Sequence, residues 1–339
     1  MGTPTNPYYP PQAAWMLPRP MTAGSVVSRV IELMRKRFKM FVAIGVMPLV
    51  AELALLIPLF VFFGVAMVRP GGEAFGPSAP EFSVVMVLLL AVAMVGTLFV
   101  YALAETAASW AALRLDAGAE ATARQAWQVA WQQPGRSCGL LLLRALRYAG
   151  PMLVPIVLLV AGSAALAAGH SQEDPAPTAV LLILLAVLLL VGGIVLGLVL
   201  YVADALSNAA SVTENLSAWP AIRRSVALSR GARWRIFGVG FLLYLMVMAL
   251  LMAFEIAGVI VFVLGAALFE LLHLGEVAAV VGTVLGAAVF LPLFVAYIGV
   301  VMTMQPLYQA VIYRDLRRLE PANPVVTHPG GGFTGPQFR

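Results

Sequence analysis

The sequence predicts an all-α integral membrane protein: six transmembrane helices in three two-helix repeats, each repeat opened by an interfacial helix on the cytoplasmic side. Three observations predict it. First, the 339 residues are 61% hydrophobic and only 11% charged, with a mean hydropathy of +0.94; a soluble domain carries about 25% charged residues. Second, six apolar runs reach the length of about 20 residues that crosses hydrocarbon as a helix: roughly 40–63, 82–104, 141–168, 179–203, 236–258 and 277–300. Third, landmarks recur at one spacing. Apolar runs end at Tyr101, Tyr201 and Tyr297, 100 and 96 residues apart, and others begin after Arg37, Arg136 and Arg233, 99 and 97 apart.

The elements follow in chain order. Residues 1–21 form a Pro-rich tail, expected to be disordered and cytoplasmic, and 22–319 form the membrane domain, with repeats at about 22–117, 118–215 and 216–319. The first repeat opens with an amphipathic helix. Val26, Val30 and Met34, and Val27, Ile31 and Phe38, fall at helical spacings, with Arg29, Arg35 and Lys36 elsewhere on its surface. The first apolar run, Met40 to Val68, is too long for the core of a cleaved signal peptide and is expected to stay as a span. The helix returning at 82–115 is expected to be unbroken, about 50 Å at 1.5 Å per residue.

In the second repeat Trp127 and Trp131 lie four apart, and Pro134-Gly135 ends the short helix. In the third, Ser217 is the expected N-cap, Pro220 fits the first turn and Gly231 the position after the end. Such helices lie in the interface with aromatic rings at headgroup level. The fifth span is ambiguous: apolar residues run from Ile236 to Phe269, so it either tilts or turns along the outer surface near Gly265. Residues 320–339 form a second disordered cytoplasmic tail.

Charge sets the orientation, because Lys and Arg near span ends mark the cytoplasmic side. The four segments assigned there hold 6, 5, 5 and 4 of the 21 Lys and Arg, while the three opposite loops hold only Arg69 against six acids. A seventh span within 259–276 would put Arg314, Arg317 and Arg318 outside and is rejected. This rule, with anionic inner-leaflet lipid as partner, accounts for a pI of about 9.6 without a nucleic-acid partner.

The candidate intramembrane polar cluster is Glu52, Arg144, Arg147, Glu105 and Asp204. Counted from Lys39, Glu52 lies about 20 Å deep; counted from Arg136, Arg144 and Arg147 lie about 12 and 16 Å deep. Ionisable groups at such depths are functional candidates. A Glu52–Arg147 pair would line a polar path or bind a headgroup; the plainer alternative is an ion pair fixing helix register, or arginines that snorkel. Glu105 and Asp204 also stand where they could neutralise these arginines. Candidate interfacial lipid contacts are Arg35, Lys36, Arg37, Lys39, Arg223, Arg224, Arg233, Trp234 and Arg235.

Other signals are bland. Cys138, the single cysteine, excludes an intramolecular disulfide and a cysteine-rich zinc site. His170 and His273 lack ligand spacing, His328 is in the tail, and no nucleophile has a neighbouring histidine, so no catalytic, metal or cofactor-binding residue is assigned. Gly193-x-x-x-Gly197 and Gly282-x-x-x-Gly286 read as close helix contacts.

Arg19-Pro20-Met21-Thr22-Ala23-Gly24 with Arg35-Lys36-Arg37-Phe38, and more closely Ala218-Trp219-Pro220-Ala221-Ile222-Arg223-Arg224-Ser225 with Leu228-Ser229-Arg230-Gly231, resemble the glycerophosphoryl diester phosphodiesterase membrane-domain family of bacteria. The resemblance covers about 20–319 and implies a membrane module in the bacterial cytoplasmic (inner) membrane. Some members are fused to a catalytic barrel, but no loop here could hold a barrel of about 250 residues. The expectation is a non-enzymatic scaffold or accessory module, without cofactor, binding anionic lipid or a cytoplasmic partner. The alternative is a transporter or lipid-handling protein using Glu52 and Arg144/Arg147.

Overall fold

The computed structural model describes residues 20–68, 80–168, 177–271 and 275–320. Among them are ten α-helices and no strand. Six helices are long and apolar enough to cross a membrane, which makes this a multi-pass membrane protein. The tails at 1–19 and 321–339, and the loops at 69–79, 169–176 and 272–274 with His170 and His273, lie outside the described residues.

Three short helices share a local design. α1 (Ala23–Lys36) starts at Thr22, whose hydroxyl accepts from the Ser25 N–H at 3.2 Å, and buries Val26, Val30, Leu33 and Met34. α4 (Ala123–Gln132) starts at Thr122 with a reciprocal capping box to Gln125 and buries Ala126 and Ala130. α8 (Ala218–Ser229) starts at Ser217, whose hydroxyl makes no capping bond, and buries Ala221, Ile222, Ser225, Leu228 and Ser229. A capping hydroxyl satisfies an amide that the helix leaves without a partner. The inward stripe at every third or fourth residue then binds the helix to its neighbours. Gly231, just past α8, has φ +82°, a left-handed conformation suited to glycine, as its place after the helix implies.

The long helices are α2 (Phe38–Val68), α3 (Pro80–Asp116), α5 (Pro134–Ala168), α6 (Pro177–Asp204), α9 (Arg233–Leu271) and α10 (Gly275–Leu319); α7 (Ser207–Glu214) nearly continues α6. α3 is unbroken, as expected, and spans about 55 Å at 1.5 Å per residue. α9 settles the ambiguity at Gly265: it passes straight through to Leu271. α5 begins at Pro134, earlier than the apolar run at 141, because proline is suited to the first turn. The second returning helix alone breaks, at Ala205-Leu206. Ser225 of α8 repairs the break: its hydroxyl accepts from Leu206 N–H at 3.0 Å and donates to Ala203 O at 2.7 Å.

The buried core is not centred on the apolar windows, which are only 6% to 28% buried within the protein. It lies where both described termini, the three short helices and most Lys and Arg gather, here termed the basic end. There α3, α7 and α10 pack together, ringed by α1, α4 and α8. The core is made of Leu103, Ala107, Ala108, Ala111 and Ala112, then Leu206, Ala209 and Ala210, then Leu307, Ala310, Val311, Ile312 and Tyr313. Alanine lets these backbones come close.

Closer to the membrane, two glycine contacts hold spans together. A Cβ on Gly45 of α2 would overlap the carbonyl oxygen of Gly299 on α10, and one on Gly299 would sit 2.9 Å from the Val42 oxygen. A Cβ on Gly193 would sit 2.9 Å from Pro151 O, so this glycine does join α6 to α5. Gly286, in the other spaced pair, faces open space.

Candidate functional site

Two ion pairs lie where α5 meets the returning helices. Arg144 Nη1 donates to Glu105 Oε1 of α3 at 2.6 Å, with both side chains 6% exposed. One turn on, Arg147 Nε lies 3.3 Å from Oδ2 of Asp204, at the end of α6. Asp204 is fully buried, and among the described residues neither carboxylate oxygen receives a well-formed hydrogen bond. Charge attraction to Arg147 therefore compensates its burial. Beside them Thr106 and Ser137 share a buried hydrogen bond of 2.9 Å between α3 and α5.

The arrangement corrects one expectation. Arg147 does not meet Glu52. Glu52 is exposed on α2 and has no ion pair or hydrogen bond among the described residues. Residue counting gave its depth along the helix but not the side on which it points. Glu105 and Asp204 take the two arginines instead. Four of the five cluster residues therefore come together and Glu52 does not.

A line of tyrosines leads away from these pairs. Arg144 Nε donates to the Tyr148 hydroxyl at 3.3 Å. Tyr148 and Tyr201 meet edge to face with centroids 5.9 Å apart, and Tyr201 shares a hydrogen bond with Tyr308 of α10. Tyr201 and Tyr308 then line a groove of about 350 Å³ between α6, α9 and α10, whose other walls are mostly apolar. α6 and α9 touch only briefly, which leaves the groove open at the side.

The candidate lipid contacts divide. Arg35, Lys36, Lys39, Arg223 and Arg233 are exposed, and Trp234 is 86% exposed. Arg37 is half-buried and bonds Glu120 at 3.0 Å. Arg224 and Arg235 are instead engaged inside the protein. Arg224 bonds Glu320 and Glu214, which together push its guanidinium above the ordinary arginine range. Arg235 reaches Asp315 at 2.7 Å and donates to the Met21 carbonyl. Their long stems carry the charge inward to carboxylates on other elements.

Those carboxylates were not anticipated. Asp116, Glu214 and Asp315 each lie near the end of a returning helix, and each holds an arginine: Arg29, Arg224 and Arg235 respectively. Asp116 also binds Arg314 at 2.8 Å. An acid close to the end of every returning helix, 98 and then 101 residues apart, was the signal that could have found them. Among the described residues no three His, Cys, Asp or Glu side chains gather to hold a metal ion. Comparison with protein families, with curated proteins and with solved structures finds no match to this chain.

Proposed function

We propose that the protein is a non-enzymatic scaffold or accessory module of a bacterial cytoplasmic membrane, with its basic end and both termini on the cytoplasmic side. The observation that carries this reading is the location of the folded core: it forms a compact platform at the basic end, while the apolar windows remain largely uncovered by protein. The resemblance to the phosphodiesterase-associated membrane domains agrees with a module that presents a platform. Three short helices that bury one stripe, two of them capped by a threonine, together with three returning helices and three terminal carboxylates, support a threefold internal repeat with interfacial helices. Exposed Arg35, Lys36, Lys39, Arg223, Arg233 and Trp234 at that end suit contact with anionic lipid.

The lipid contact is tested by native mass spectrometry of the full chain from nanodiscs of mixed phosphatidylcholine and phosphatidylglycerol. Enrichment of phosphatidylglycerol, reduced in Lys36→Gln/Lys39→Gln/Arg233→Gln, supports it; the bulk lipid ratio overturns it. Orientation is tested in a Cys138→Ser background: cysteine at Ser171 should react with an impermeant reagent on intact cells, and cysteine at Ser217 should not.

A second reading, lipid handling, is favoured by the side-open groove that ends at Tyr201 and Tyr308 next to the ion pairs. Proteoliposomes separate the two. Transbilayer movement of a fluorescent phospholipid by the wild type, lost in Tyr201→Phe/Tyr308→Phe, would replace the scaffold reading.

A further inference from the structure

At the tip of the basic end a second cavity, of about 530 Å³, opens between the ends of α3, α7 and α10. Its lining includes Trp110, Arg114, Tyr313, Arg314, Arg317 and Arg318, and no carboxylate. The nearby acids are all engaged. Asp116 takes Arg29 and Arg314; Glu214 takes Arg224 and accepts from the Tyr313 hydroxyl at 2.6 Å; Asp315 takes Arg235; Glu320 takes Arg224. Arg317 and Arg318 are exposed and form no ion pair among the described residues. Arg114 lies over the Trp110 ring, 5.1 Å from its centroid, and Arg314 is fixed by Asp116.

Helix ends alone do not explain this charge. A helix C-terminus carries roughly half a negative charge. Three such ends and Asp116, which Arg29 also engages, still fall short of the three guanidiniums of Arg314, Arg317 and Arg318. The cavity is therefore left positive, and its cations stand on helix ends that are packed and braced rather than on a mobile loop. Planar guanidiniums in this number are matched by phosphate oxygens, which accept paired hydrogen bonds from the arginine fork.

We propose that this cavity binds a phosphate-bearing anion, with Arg317 and Arg318 as its principal contacts. The site is separate from the groove, from the α5 ion pairs and from the exposed lipid-contact residues, and does not rest on the scaffold reading. Trp110 is nine residues past Tyr101, about 14 Å further along α3. A water-soluble phosphate compound therefore reaches the cavity more readily than a headgroup tethered in the bilayer.

The test uses the full chain in neutral phosphatidylcholine nanodiscs, with inorganic pyrophosphate as probe in isothermal titration. Wild type should bind, and Arg317→Gln/Arg318→Gln should weaken binding at least tenfold. Arg124→Gln/Arg230→Gln removes the same charge from exposed positions on α4 and just past α8 and should stay within twofold. A parallel arm uses native mass spectrometry after phosphatidylglycerol nanodiscs. A bound phospholipid lost only in Arg317→Gln/Arg318→Gln would identify the phosphate as a headgroup. The proposal is overturned if wild type holds neither pyrophosphate nor such a lipid, or if both double variants lose binding equally.

Discussion

The basic end and the apolar windows use similar residues to opposite effect. At the basic end Leu103, Leu206 and Leu307 are fully buried; along α6 the apolar window leaves Leu181, Leu184 and Leu188 more than 60% uncovered by protein. With the platform in water, as proposed, removing apolar surface from that solvent stabilises by about 25 cal/mol per Å². Around the spans the solvent is hydrocarbon, as apolar as leucine, so helix association there depends on close contact and polar pairs. The lesson is that apolar content locates the membrane but not the stability.

Four expected outcomes, read from thermal or denaturant unfolding of detergent-purified variants, would break or sharpen this contrast. The largest concerns the polar pair at the boundary. Arg144→Met should destabilise by about 3–5 kcal/mol, because Glu105 is left buried without its cation. Adding Glu105→Gln should recover a substantial part, whereas additive losses would refute the pairing. Next, Ala111→Leu should cost about 1–3 kcal/mol, since the fully buried alanine leaves no room for a larger side chain; unchanged stability would mean that the platform is loosely packed. Ser225→Ala should cost about 1 kcal/mol by removing the bonds that mend the α6–α7 break. Smallest of all, Leu188→Ala, on an exposed stretch of α6, should change stability by less than about 0.5 kcal/mol. A loss as large as that of Ala111→Leu would show that protein, not lipid, covers this face.

What could be read from the residues follows the same division. Runs of apolar residues reveal six membrane-length helices because length alone decides whether a segment spans. Thr22 and Thr122 cap their helices by local side-chain chemistry, whereas Ser217, the expected N-cap, holds the cap position of α8 without a side-chain bond. Facing direction was another matter. α2 is apolar all round, so nothing in its pattern tells which side Glu52 occupies, and the depth argument paired it with the wrong partner. Glu105 and Asp204 were named as possible counter-charges and do hold the arginines. Gly45 and Gly299 escaped notice because each stands outside a spaced glycine pair; only the crossing of α2 and α10 makes them neighbours.

The clasp between the first helix and the last has a consequence for biosynthesis. Met21 N–H donates to Asp315, 294 residues away, and Arg235 bonds both the Met21 carbonyl and that same acid. Asp116 likewise joins Arg29 to Arg314. A ribosome delivers the two halves of each clasp far apart in time, since as many as 294 residues separate them. Until α10 is released, α1 lacks its clasp and the platform lacks one of its three central helices. A product ending before α10 would leave Val26, Val30 and the alanine face of α3 without the helix that covers them. The fold thus makes the arrival of α10 a condition for covering those apolar surfaces.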